Sequence, residues 1–382
     1  MGRGGDAPRA RAAPRDGARP AHGRPRRPRD LRGRPVPTVA ADALERLTRD
    51  VFVAHGVPVD DAAWIATLLV RANLRGHDSH GVIRIPQYVR AMQAGELNPR
   101  PTIRVERETP TTARVDGDRG FGQVVGRYGV ALAVDKARAQ GLAAVGLRRT
   151  HHVGRLADYA ELAAAQGLIA LMWVNVPTAL NVAPWGGAAR RLGTNPHAIA
   201  VPGPGGTVAM SHDFATSVIA EGKLRVRLHR GERVEPGVML DGRGRPSTDP
   251  RDFYADPPGA LLAAAGHKGY GLALAVEILG GILSGEGPAR PERGPVSNGT
   301  LILCLDPERF LPLAELHAQV QALFAFVRSA PLAEGAREIL IPGEPEARLE
   351  AERRRAGVPV DAETWRQIVA CAEAVGVHAE AS

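Results

Sequence analysis

Residues 76–90 read GHDSHGVIRIPQYVR, and the nine positions from Gly76 hold His77, Asp78, Ser79, His80 and Arg84. Histidine is the side chain suited to moving protons near neutral pH. Ser79 can hydrogen-bond a neighbour or a substrate, and Arg84 offers a planar fork that matches a carboxylate. Gly76 and Gly81 bracket the polar run and let the backbone turn. Such a set would exchange a proton with a small molecule that carries a carboxylate. The plainer alternative is a helix end with solvated polar side chains; an arginine one turn after His80 weighs against it.

Other stretches offer anion-binding chemistry. His151-His152-Val-Gly154-Arg155 falls between a predicted strand and a predicted helix, where backbone N–H groups attract phosphate and Arg155 adds charge. A simple helix cap is the competing reading. Asp213-Phe-Ala-Thr-Ser places a carboxylate where a ribose or a helix N-terminus would want one. His267-Lys268 opens a predicted helix with two donors at its positive end. The chain has only three lysines (Lys136, Lys223, Lys268) against 46 arginines, so Lys223 in EGK and Lys268 in GHKGYG stand out. A metal site from His77, His80, His151, His152 and Asp213 is conceivable, and with it a metal-dependent hydrolase. No HExxH or acidic cluster accompanies these residues, so no metal is expected. The stretch Gly120-Phe-Gly122-Gln-Val-Val-Gly126 has dinucleotide-fingerprint spacing, but the acidic residue expected about 20 positions later is missing. It is not expected to form a Rossmann site.

These stretches need elements to position them. Periodicity predicts helices over 38–55, 60–74, 83–95, 123–140, 156–166, 266–284, 313–327, 347–356 and 361–375. Strands are expected at 111–115, 143–147, 168–174 and 301–305, with 208–210 leading through DFATS into a helix to about Lys223. Residues 175–206 and 230–259 read as loop- and turn-rich. The alternation of strands and helices implies an α/β domain in the middle of the chain. There is no internal repeat.

The 382 residues are 44% hydrophobic and 4% aromatic, with no apolar run of about 20, so no membrane span is expected. Cys304 and Cys371 stand alone, which excludes a disulfide framework and fits a reducing cytoplasm. The net charge of +8 resides in residues 1–37, which hold eleven Arg and three Asp. The remainder is close to neutral, so nucleic acid is not an expected partner. The segment 1–37 lacks apolar anchors and reads as a disordered, dispensable basic arm or an upstream extension.

Taken in order, GHDSHGVIRIPQYV, DGDRGFGQ, HHVGRLADYAELAAAQGLIA, PWGGAARRLGTNPHAIAVP, DFATS, EGK, GHKGYGLAL and PGEPE resemble the malate/L-lactate dehydrogenase family of the second type. The resemblance covers about 39–375 and looks closest to its hydroxycarboxylate dehydrogenases. It implies an atypical, non-Rossmann dinucleotide-binding mixed sheet (111–324). It also implies a helical domain built from 38–110 and completed by 325–378. It implies a homodimer that uses NAD or NADP to interconvert a 2-oxo acid and a 2-hydroxy acid. By motif, His80 matches the proton donor, Ser79 its relay partner and Arg84 the carboxylate holder. Thr194 and Gly222 match substrate contacts, with Lys223 and His152 as further catalytic candidates. Cofactor contacts match His151, His152, Val153, Gly154, Arg155, Leu156, Ser211, Asp213, Phe214, Ala215, His267, Lys268, Gly343, Glu344, Pro345 and Glu346. His212, Lys223 and Trp185 depart from the usual pattern. Lys223 stands where cyclic-imine reductases use an Asp, which weakens an imine-carboxylate reading. Ureidoglycolate dehydrogenases assign the base to the His matching His152, so the choice between His80 and His152 stays open. A catalytically dead dinucleotide sensor is the remaining rival.

Overall fold

The structure, a computed structural model, describes residues 37–379 apart from 230 and 293. The basic segment before Pro37 lies outside the described residues. Strand β1 (Thr38–Val39) precedes helices α1 (Ala41–Ala54) and α2 (Val59–Leu74). Helix α1 buries Leu44, Leu47, Val51 and Phe52 along one face, the helical periodicity legible in the sequence. Asp60 and Asp61 sit in the first turn of α2, where negative charge offsets the helix dipole. Two tight turns, Asp78–His80 and Val82–Arg84, then lead into α3 (Ile85–Gln93). Pro86 occupies its first turn, where a missing N–H is harmless.

The middle of the chain supplies β2 (Arg104–Glu108), β3 (Thr112–Gly120), α4 (Gly122–Gln140), β4 (Leu142–Thr150), α5 (Ala157–Ala164), β5 (Ile169–Asn175), β6 (His197–Pro202) and β7 (Val208–Phe214). Next come α6 (Glu221–His229), β8 (Met239–Leu240), β9 (Pro246–Ser247), α7 (Pro250–Phe253), β10 (Ala260–Leu261), α8 (His267–Val276) and β11 (Asn298–Leu305). The chain closes with α9 (Leu313–Arg328), α10 (Glu344–Ala356), β12 (Val358–Pro359) and α11 (Ala362–Glu373).

Seven strands form one mixed sheet in the order β2-β3-β4-β11-β5-β6-β7. Only β3 and β4 run parallel; every other neighbouring pair is antiparallel. This is the expected α/β class without doubly wound parallel topology. The fingerprint-like glycines serve packing instead. Gly122 leaves room for the backbone of His152 and Val153, and Gly126 for the ring of Tyr159. A Cβ at either would collide, so their spacing reflects α4 lying close on the strand β4 to α5 connection.

The sheet core joins Val115, Val145, Leu147, Met172 and Ile302 to α4 and α5. A second core gathers α1, α2 and α3 with Val358, Val360 and Ile368 from the chain's end. A smaller third core surrounds β8, β9 and β10.

Three differences from the sequence expectation have local causes. Residues 197–202 form a strand inside the stretch read as loop, alternating half-buried and buried side chains; flanking Pro and Gly hid that period of two. The helix expected to run from DFATS to Lys223 does not form. Phe214 still belongs to β7, and Thr216 N donates to Thr194 O at 2.9 Å, so the backbone there is committed to a neighbouring loop. Helix α6 begins only at Glu221. The helix expected over 266–284 is α-helical only through Val276 and continues as a wider π-turn over Glu277–Leu283. There Gly280 stacks on the backbone of Trp173.

Candidate active site

The 76–84 turn is shaped by one buried amide. Asn73 is 4% exposed, near the end of α2. Its Oδ1 accepts from Val82 N at 2.8 Å, and its Nδ2 donates to Asp78 Oδ1 at 2.8 Å. A Cβ on Gly81 would run into this amide, so the turn requires glycine there. Arg353 of α10 donates to the same Asp78 oxygen at 2.8 Å, tying the turn to the C-terminal helices. Asp78 is therefore a structural strut.

Ser79, His80 and Arg84 form a separate set of contacts. Ser79 Oγ and His80 Nδ1 share a hydrogen bond of 3.0 Å. Arg84 donates Nε to Ser79 O at 2.7 Å and Nη1 to Gln87 Oε1 at 2.6 Å. Among the described residues Arg84 has no carboxylate partner, although it is only partly exposed. Gly222 lies against this segment, its Cα so placed that a Cβ would stand 3.1 Å from Ser79 Cβ. The EGK motif thus meets the DSH motif in space. Lys223 is exposed, and its charge is felt at His77 and His80.

The His151–His152 pair arrives from the end of β4. The rings of His80 and His152 stack with centroids 5.5 Å apart. Burial, then the charges of Arg84, His77, Arg155 and Lys223, push His80 down to about 3. Burial and Arg84 likewise push His151 down to about 4 and hold His152 well below the ordinary imidazole range. All three are neutral at physiological pH. His152 Nδ1 lies 2.7 Å from Tyr88 Oη, and Gln123 Nε2 donates to the same oxygen at 3.0 Å.

Other candidate positions divide. Asp213 Oδ2 accepts from Ala157 N at 2.9 Å, so this carboxylate at the end of β7 caps α5. Arg155, 3% exposed, pairs with Asp158 at 2.7 Å and Glu161 at 2.9 Å. Its charge is engaged inside the protein. Val153, Gly154 and Leu156 line the same connection, with Val153 N donating to Asn298 Oδ1. Ser211 Oγ donates to Glu161 at 2.7 Å, and Ser211 N to Pro342 O at 3.1 Å, which seats Gly343 against β7. Glu344 caps its own helix through Ile341 N, and Pro345 follows in the first turn. Glu346 Oε1 approaches His77 Nε2 at 3.9 Å. PGEPE and DFATS therefore converge with the 76–84 turn. Phe214 packs edge-on against His197 and at a tilt against His212, with Ala215 directly after it. Thr194 contributes its carbonyl to Thr216. His267 and Lys268 are exposed at the start of α8, beside Trp185, whose ring centre is 6.1 Å from that of His267. Among the described residues no cluster of three or more His, Cys, Asp or Glu is placed to hold a metal ion.

Sequence reasoning missed Asn73, Tyr88, Gln123 and Glu161. A lone Asn inside an apolar helix was a usable signal. The partners of Glu161 were not visible locally: it binds Arg71 at 2.5 Å, Arg75 at 2.7 Å and Arg155 at 2.9 Å, joining α2 to α5. Burial alone would raise its pKa, but Arg155, Arg75 and Arg71 outweigh burial and lower it. The stabilisation is therefore present above the unfolded pKa of about 4.3 and is lost as pH falls through the lower folded value. Glu161→Ala leaves buried arginines without their shared carboxylate. It is expected to cost about 3–5 kcal/mol, read as a lower denaturation midpoint at neutral pH. The loss should shrink in acid.

Comparison with known proteins decides the family. The model of the malate/L-lactate dehydrogenase family matches residues 39–369. The chain belongs to that family. Hydroxycarboxylate dehydrogenase B of Escherichia coli (strain K12) is 38% identical over 345 residues, covering 89% of this chain and 95% of that protein. The sulfolactate dehydrogenase structure from Methanocaldococcus jannaschii superposes with a TM-score of 0.81 at 37% identity, covering 89% of this chain and 98% of that one. Δ1-Piperideine-2-carboxylate reductase from Pseudomonas syringae pvar. tomato superposes with a TM-score of 0.75 at 29% identity, covering 87% and 99%. The chain is thus a mixed α/β oxidoreductase related to hydroxy-acid dehydrogenases, and no helix among its described residues is long and apolar enough to cross a membrane.

Proposed function

We propose that this member of the malate/L-lactate dehydrogenase family interconverts a 2-oxo acid and a 2-hydroxy acid with NAD or NADP. The observation that carries the reading is Arg84. Burying part of a guanidinium without a counter-ion is unfavourable unless something supplies the charge. A substrate carboxylate would do so, bound beside the imidazole of His80. Ser79 O and Gln87 fix Nε and Nη1, leaving Nη2 free of any partner among the described residues. The fork is thereby oriented before substrate arrives.

The dinucleotide is tested by the polar groups present. His151 Nδ1 and Nε2 and Glu346 Oε2 are enclosed yet have no hydrogen-bond partner among the described residues, as a site awaiting a polar group requires. Lys268 and His267, at the N-terminal end of α8, suit phosphate. Glu346, and the Asp213 oxygen not used in capping α5, would be the carboxylates that meet the ribose hydroxyls. The residues fit. When bound, the nicotinamide supplies or accepts hydride at the substrate carbon. This chain's residues then orient the carboxylate through Arg84 and move a proton between His80 and the substrate oxygen, with Ser79 holding the ring. In this reading the helical core forms one domain (38–110 with 325–378) and the sheet the other (111–324).

Lys268→Ala is expected to raise the cofactor dissociation constant while leaving the KM for the 2-oxo acid nearly unchanged, as read by nicotinamide fluorescence titration. An unchanged constant would remove Lys268 from the phosphate site. A second copy of the chain fits the outer surface of α9, where Leu323 is 55% and Phe326 76% exposed; light scattering at the monomer mass would contradict this. The overall reading is tested by a panel of 2-oxo acids, with a cyclic imine carboxylate included, assayed with NADH and NADPH by absorbance. Oxidation of either cofactor by a 2-oxo acid supports it. Turnover confined to the imine would replace it.

A further inference from the structure

We infer that Gln123 is a positioning residue that fixes, through Tyr88, which ring nitrogen of His152 carries the proton. The inference rests on the hydroxy-acid dehydrogenase reading for its consequence, though not for its geometry. Tyr88 Oη has one proton and two nitrogen neighbours, Gln123 Nε2 at 3.0 Å and His152 Nδ1 at 2.7 Å. An amide nitrogen only donates, whereas an imidazole nitrogen can donate or accept. The oxygen could accept from both, but Tyr88 is fully buried and its own proton has no other acceptor among the described residues, so that proton is hydrogen-bonded only if Gln123 donates to Tyr88 and Tyr88 donates to His152 Nδ1. Burial pushes the Tyr88 phenol up to about 12, so it keeps its proton to donate. Neutral His152 is therefore the Nε2–H tautomer.

The consequence concerns the two histidines. His152 Nε2 has no partner among the described residues and is not one of the enclosed polar atoms, so it opens outward beside the stacked ring of His80. There it is a standing hydrogen-bond donor for a substrate oxygen. In the oxidative direction it cannot accept a proton at Nε2 in that tautomer, so the proton leaving the substrate hydroxyl goes to His80 instead. Gln123 is placed for this by its own backbone: its carbonyl accepts from Trp64 Nε1 at 2.8 Å, and its side chain is 1% exposed at the start of α4.

Long-range nitrogen-15 spectra of the imidazoles in the full-length protein test the tautomer without any assay. The expected result is His152 protonated at Nε2 and unprotonated at Nδ1; the Nδ1–H form in wild type would overturn the inference, whatever the substrate proves to be. Gln123→Met keeps the volume and removes the donor. It should mix the two tautomers and lower kcat about tenfold, the worth of about one neutral hydrogen bond, with little change in the cofactor dissociation constant. Tyr88→Phe should do the same. If Gln123→Met keeps the wild-type tautomer and kcat, Gln123 does not position His152. If no 2-oxo acid is turned over while the tautomer is as stated, the functional reading fails and the positioning stands.

Discussion

His80→Ala should lower turnover in both directions by roughly 10²–10⁴-fold while leaving the cofactor dissociation constant close to that of wild type, because its role is to move one proton. The free protein holds His80 neutral, its pKa lowered to about 3 first by burial and then by Arg84. The sign of the pH dependence follows. In the oxidative direction the neutral imidazole is already the competent base, so kcat/KM should stay level as pH falls through 6.5, where an ordinary histidine would titrate. In the reductive direction His80 must hold a proton, so kcat/KM should decline with rising pH over the same range. A carboxylate on Arg84 would offset one of the charges that depress His80, raising its proton affinity when substrate binds. If His152→Ala abolishes turnover and His80→Ala does not, the proton carrier has been misassigned.

Arg84→Met should lower kcat/KM for 2-oxo acids by roughly 100-fold, about 3 kcal/mol for loss of the charge and its hydrogen bonds. Arg84→Lys should cost less, about tenfold, since an ammonium restores charge but not the planar fork. Neither change should unfold the protein, because Arg84 closes no ion pair among the described residues. Steady-state kinetics with a thermal melt on each variant checks both statements. A melting temperature that falls as steeply as activity would make Arg84 a structural residue.

The sequence carried this fold unevenly. Helices α1, α2 and α4 were legible because their apolar positions recur every three to four residues over long spans. Strand β6 was not, since Pro and Gly on both sides outweigh its short alternation. DFATS misled in an instructive way. Its Asp does meet a helix N-terminus, but that of α5, 56 positions earlier in the chain. Local propensity could not reveal such a partner.

The candidate site was legible as motifs and illegible as a network. Ser79, His80 and Arg84 lie within six positions, so any compact turn brings them together. Gly222 against Ser79 needs the whole sheet to be built first. Arg155 looked like a phosphate ligand because it is basic and precedes a helix. The fold surrounds it with Asp158 and Glu161, and a buried arginine takes the nearest carboxylates. The hydrogen bonds of Tyr88 to His152 and Gln123 join three separate segments, and nothing in those segments alone records them.

The central claim is that Arg84 holds the carboxylate of a 2-oxo acid. It is tested most directly by measuring kcat/KM for one 2-oxo acid and for its uncharged amide, with wild type and Arg84→Met. The account predicts a large loss for the acid on substitution, and poor wild-type turnover of the amide that the substitution scarcely lowers further. Equal losses for acid and amide would contradict it.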